Sequence, residues 1–100
     1  MIISGYEFEN PYILRTATFN NVASVYVIYT VINGKTVCLD VGETDALGNR
    51  ISAHERKDCW MKNAQGGELY VGVMQVKDEF TRRNIESNLR NLLNPTCGNW

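Results

Sequence analysis

One hundred residues, 44% of them hydrophobic and 21% charged, leave no room for a second domain. They suffice for one core that buries roughly two-thirds of the unfolded surface. A net charge of −1 argues against a strongly basic nucleic-acid binder. No run approaches the roughly 20 apolar residues of a membrane span, and Met1-Ile2-Ile3-Ser4-Gly5-Tyr6-Glu7 lacks the basic start of a signal peptide, so a cytoplasmic protein without membrane association is expected.

Along the chain, Pro11, Asn20 and Asn21 break residues 1–23, with a short strand near residues 12–18. Residues 25–32 are β-branched and aromatic and predict the clearest strand. Asn33-Gly34 signals a hairpin turn, after which residues 36–41 return antiparallel. Gly42 allows a turn that a residue with a Cβ would resist. Tyr26 and Asp40 then fall at one edge of the hairpin, and the register decides whether they share a face. Thr44 or Asp45 is the expected cap of a helix in which Leu47 and Ile51 point inward and Gly48 is a local weakness. Arg50 and His54, at i and i+4, share a face of that helix and form a wall suited to an anion. Residues 58–67, polar and ending in Gly66-Gly67, read as a flexible loop. Residues 68–76 predict a third strand with Leu69, Val71, Val73 and Gln75 on one face and Tyr70, Gly72, Met74 and Val76 on the other. Apolar residues on both faces make it a central strand. A last helix begins at Thr81, carries Ile85, Leu89 and Leu92 on one stripe with Glu86 beside it, and ends at Asn94-Pro95.

Cys38, Cys59 and Cys97 are odd in number, widely spaced and without a C-x-x-C pair, so free buried thiols in a reducing compartment are expected over a disulfide framework. A zinc site from His54 and cysteines lacks the usual ligand spacing. The charge is unevenly spread: residues 1–48 hold two basic and five acidic side chains, residues 49–100 eight and six. Arg50, Arg56, Lys57, Lys62, Arg82, Arg83 and Arg90 would make either a solvated helical surface or a weak, salt-sensitive track for a phosphate backbone.

The chemically suggestive residues stand in a fixed order: Ser24-Val25-Tyr26, Asp40-Val41-Gly42, Arg50, His54, Glu86, and Asn99 after Pro95. In that order and spacing, residues 24–99 resemble the GIY-YIG nuclease domain. Ser24-Val25-Tyr26 stands where the family has Gly-Ile-Tyr, and Asp40-Val41-Gly42 where it has Tyr-Ile-Gly. The first tyrosine is kept; the second is replaced by Asp40. Arg50 matches the helix arginine, His54 a position usually His or Tyr, Glu86 the metal-binding glutamate and Asn99 the late asparagine. One extra residue separates Pro95 from Asn99, so Asn94 is a weaker candidate for that last role.

The resemblance implies a single α+β domain over residues 1–100, a three-stranded antiparallel sheet flanked by helices, which the element count also suggests. It implies a metal-dependent endonuclease that hydrolyses DNA phosphodiester bonds with one divalent ion, Mg²⁺ or Mn²⁺, held through Glu86. Magnesium keeps waters and takes few carboxylates, so one protein ligand is reasonable. Arg50 would neutralise a phosphate oxygen, Tyr26 orient or deprotonate water and His54 assist proton transfer, with Gly42 and Asn99 beside the substrate. Asp40 stands between base, second metal ligand and a charge that repels substrate. Taken singly, Glu86 reads instead as the middle of an Arg82–Glu86–Arg90 ion-pair ladder, Arg50 and His54 as a surface pair, and Tyr26 as a half-buried strand residue. The alternative function is a catalytically weakened domain that binds nucleic acid or a protein partner; a purely structural interaction domain is a third. With no DNA-reading domain present, a homodimer or a separate targeting subunit would supply affinity.

Overall fold

The structure, a computed structural model, describes residues 1–98. Three two-residue strands, β1 (Ile2–Ile3), β2 (Tyr6–Glu7) and β3 (Tyr12–Ile13), precede the long strands β4 (Ser24–Ile32) and β5 (Lys35–Thr44). Helices α1 (Leu47–Ser52) and α2 (Lys57–Asn63) follow, then β6 (Tyr70–Gln75) and α3 (Glu79–Leu93). The β1–β2 pair forms one small antiparallel sheet, and the main antiparallel sheet has the order β3-β6-β4-β5. The expected three strands are its β6-β4-β5 part; Tyr12–Ile13 adds a fourth at the edge of β6. No helix of the described residues is long and apolar enough to cross a membrane.

The β4–β5 hairpin closes through Asn33 and Gly34, both at positive φ (52° and 77°), the backbone that Asn-Gly supplies with least strain. Tyr26 pairs with Gly42 and Ile28 with Asp40, so these four residues face one side. Tyr29 then pairs with Cys38, leaving Leu39 as the extra residue of a β-bulge. On the Tyr26 side, Ile28, Leu39, Val71 and Val73 pack with Leu47, Ile51, Trp60 and Cys97. On the other, Val25, Val27 and Val41 pack with Phe8, Ile85 and Leu89. Both β4 and β6 are therefore interior strands, as the two-sided apolar pattern of residues 68–76 predicts.

Several expectations change. Residues 58–67 are not simply a loop: α2 covers most of the first half and buries Trp60 completely. With one buried anchor in seven residues, it leaves no apolar repeat to read. Cys59 and Cys97 form a disulfide, against the free thiols expected; only Cys38 is a thiol, and burial pushes it up to about 11. The bond joins α2 to the segment after α3, a proximity that a separation of 38 residues conceals. Neither Thr44 nor Asp45 is the cap of α1, which starts after Ala46. Its first amides donate instead to Val22 O (3.2 Å), Asn20 O (3.2 Å) and Asn21 Oδ1 (2.7 Å). A Cβ on Gly48 would lie 2.3 Å from Phe19 O, so the glycine admits that loop. Helix α3 starts earlier than Thr81, because Asp78 Oδ2 accepts from the Thr81 N–H at 2.8 Å, and ends at Asn94 in the left-handed region.

Candidate functional site

Tyr26 lies across Gly42 on the neighbouring strand. A Cβ on residue 42 would fall 2.2 Å from the phenol Cζ and Oη, so glycine here is the floor beneath the ring. It does not end the strand as expected, since β5 continues to Thr44. Fixed this way, Tyr26 Oη lies 2.8 Å from His54 Nε2. His54 is not on the α1 face that the i, i+4 spacing predicts: α1 ends at Ser52, and His54 belongs to the link to α2. The link turns the imidazole inward, edge-on to Tyr26 and 4.5 Å from the Trp60 ring between centroids. Arg50, from the last turn of α1, forms a bidentate pair with Glu55, with 2.9 Å between Nη2 and Oε1.

The electrostatics follow from this burial. Tyr26 is pushed up to about 12 by burial, against the pull of Arg50. Burial lowers His54 to about 4, helped by the charges of Arg50 and Arg56, so the ring is neutral at pH 7. The hydrogen bond from Arg50 holds Glu55 down at about 2, and Glu55 raises Arg50 in turn.

Behind this surface sits Asp40, with no exposed area. Its Oδ2 accepts from Arg56 Nε (2.7 Å) and Trp60 Nε1 (2.9 Å). Its Oδ1 accepts from Arg90 Nη2 (2.6 Å), Arg56 Nη2 (3.3 Å) and the Val41 N–H (2.9 Å). With both oxygens engaged and none in solvent, the carboxylate organises the arginines and does not face substrate as a base or metal ligand.

Glu86 is half-buried, and its carboxyl is raised by burial and by Glu43, while Arg90 and Arg56 oppose the shift. The ion-pair ladder read from the sequence does not form among the described residues. Arg82 Nε donates to Glu43 at 2.9 Å and Arg90 turns to Asp40, leaving Glu86 without an ion pair there. A carboxylate oxygen is the donor type a hard divalent ion takes, and of the two neighbouring carboxylates Glu43 is already paired with Arg82. No group of three or more His, Cys, Asp or Glu gathers among the described residues. The cysteine–histidine zinc set is spent: Cys59 and Cys97 bond each other, and His54 bonds Tyr26 and Arg56.

Tyr26 and His54 thus meet directly, with the Arg50 charge acting on both, Gly42 beneath and Asp40 behind. Glu86 is not brought to them: it lies on α3, whose Ile85 and Leu89 pack against the opposite sheet face with Val25 and Val41. Asn99 lies outside the described residues, and Asn94 serves as the C-cap of α3. Glu55, Arg56, Trp60 and Arg90 were not singled out from sequence as site residues. The one available signal was an aspartate in an otherwise apolar strand, which demands buried cations. A cleft of about 510 Å³ against Trp60, Met61, Leu14 and Leu69 is lined by none of Tyr26, Arg50, His54 or Glu86. Compared with protein-family models, curated proteins and solved structures, the chain gives no match.

Proposed function

We propose that this chain is a GIY-YIG-type, metal-dependent endonuclease that hydrolyses DNA phosphodiester bonds where Arg50 reaches solvent beside the buried Tyr26–His54 pair. The observation that carries the reading is the convergence of three residues from separate segments, with Tyr26 Oη 2.8 Å from His54 Nε2 and within the field of Arg50. Attack of water on a phosphodiester requires a group to orient the water and a cation for the charge that develops on phosphate. Tyr26 fills the first role and Arg50 the second, with its guanidinium one-third exposed at the rim. Glu86 would hold one Mg²⁺ or Mn²⁺. When bound, that ion supplies further charge neutralisation and aid to the leaving oxygen. The basic excess of residues 49–100 gives weak, salt-sensitive attraction to DNA. A homodimer or a separate targeting subunit supplies the remaining affinity.

The test is Mg²⁺- or Mn²⁺-dependent cutting of plasmid, single-stranded and branched DNA by the wild-type chain, Arg50→Ala and Glu86→Ala. Cutting by the wild type and a loss of about a hundredfold or more in either variant is the expected result. Equal cutting by all three proteins would expose a contaminant. The second reading, a weakened domain that binds nucleic acid or a protein partner, is favoured by the enclosure of Asp40 and the high Tyr26 hydroxyl. It prevails if nothing is cut while salt-sensitive DNA binding persists.

A further inference from the structure

We propose that Asp40 and Arg56 are positioning residues that hold His54 in the tautomer protonated at Nε2, so that the imidazole donates to Tyr26 Oη and does not accept its proton. The proposal deepens the nuclease reading and rests on it for the catalytic importance of Tyr26. Its geometry is independent of that reading.

The argument begins at a backbone amide. The Arg56 N–H donates to His54 Nδ1 at 3.1 Å, and an amide nitrogen has no acceptor role to exchange. Nδ1 of the neutral ring must therefore carry the lone pair. The proton is left on Nε2, which lies 2.8 Å from Tyr26 Oη and donates to it. Arg50, which also acts on the phenol, is a donor only. With the imidazole as donor, Tyr26 Oη accepts, and the phenol's own proton is turned away from the ring.

The Arg56 amide is held by the start of α2, where the Arg56 carbonyl accepts from the Trp60 N–H at 3.0 Å, and by the Arg56 side chain. Its Nε and Nη2 are fixed on Asp40, which Arg90 and Trp60 secure from α3 and α2. The groups around His54 are Tyr26 from β4, Asp40 from β5, Arg50 from α1, Glu55 and Arg56 from the link, and Trp60 from α2. Glu55 Oε2, 3.9 Å from Nδ1, would favour a protonated ring, but it is already paired with Arg50. The residue standing in for the second motif tyrosine therefore acts through its neighbours, and this gives Asp40 a role without contact to substrate.

The chain has a single histidine, so the ring nitrogens of His54 are read without ambiguity by two-dimensional ¹⁵N–¹H NMR of the labelled protein. The wild type is expected to carry its proton on Nε2, with a bare Nδ1, from pH 8 down to pH 5. A proton on Nδ1 overturns the proposal. Arg56→Gln keeps the amide but loosens its anchor, and Asp40→Asn weakens the anchor from the other side; both are expected to give averaged tautomers. If Asp40→Asn fails to fold, Arg56→Gln alone decides. A folded Arg56→Gln with the wild-type nitrogen spectrum overturns the positioning role. In cleavage assays the same variant is expected to lose about ten- to a hundredfold in kcat with KM little changed, as for outer partners that orient a reacting group. The two readings fail separately. A chain that shows Nε2–H but cuts no DNA refutes the nuclease and supports this assignment, whereas one that cuts DNA with Nδ1–H does the reverse.

Discussion

Arg50 and Arg56 lie six residues apart and are exposed to a similar degree, yet the carboxylates they pair with sit in opposite environments. Arg56 joins Asp40, Arg90 and Trp60 in a cluster around a carboxylate with no exposed surface. Arg50 joins Glu55 at the rim, where Glu55 is 59% exposed. The interior cluster cannot rearrange without leaving charge unpaired, whereas the rim pair can be broken by water, salt or an incoming phosphate at little cost. Rigidity is thus concentrated behind the site and adaptability in front of it.

The strongest way to break the comparison is Asp40→Ala, which removes the buried carboxylate shared by Arg56 and Arg90. A loss of about 3–5 kcal/mol in urea unfolding is expected. A loss below about 1 kcal/mol would mean that the cluster is as soft as the rim.

Acid sharpens it next. The buried imidazole of His54 stays neutral down to about pH 4, while in the unfolded chain it takes a proton near pH 6.5. Its folded value is the lower one, so its contribution is complete above pH 6.5 and is lost as pH falls from there toward 4, on the order of 3 kcal/mol in all. Unfolding curves of wild type and His54→Gln across that window should converge at the acid end; parallel curves would refute the shift.

The smallest effect belongs to the rim. Glu55→Gln should cost no more than about 1 kcal/mol of stability, and by releasing Arg50 it should tighten DNA binding at low salt. Unchanged binding in a titration would show that Arg50 is not held back by Glu55.

How much of this was legible in the sequence depends on range. The β4–β5 hairpin was, because Asn33-Gly34 and the β-branched run act locally; so were β6, through its alternation, and α3, through Ile85 and Leu89. Strand β3 was legible only as a short strand near residues 12–18 and helix α2 not at all, because two residues, or seven with one anchor, are stabilised by what they pack against rather than by their own pattern. At the candidate site, Tyr26, Arg50 and His54 were singled out by their order, and the last two also by a helical spacing that the structure does not keep, since α1 ends at Ser52. Gly42 was identified too, for a turn it does not make. Asp40's partners stayed hidden because Arg56, Trp60 and Arg90 come from 16, 20 and 50 residues away. An arginine destined for the interior looks in sequence like any solvated one.

The Cys59–Cys97 bond ties β6 and α3 into one closed ring of chain. By loop closure, restricting the denatured ensemble in this way contributes about 4 kcal/mol, a large share of what holds a chain of this length together. Where glutathione or thioredoxin keeps thiols reduced, that share is withdrawn. The fold then rests on two small cores and one enclosed cluster of charge, so the protein's endurance depends on the compartment in which it works.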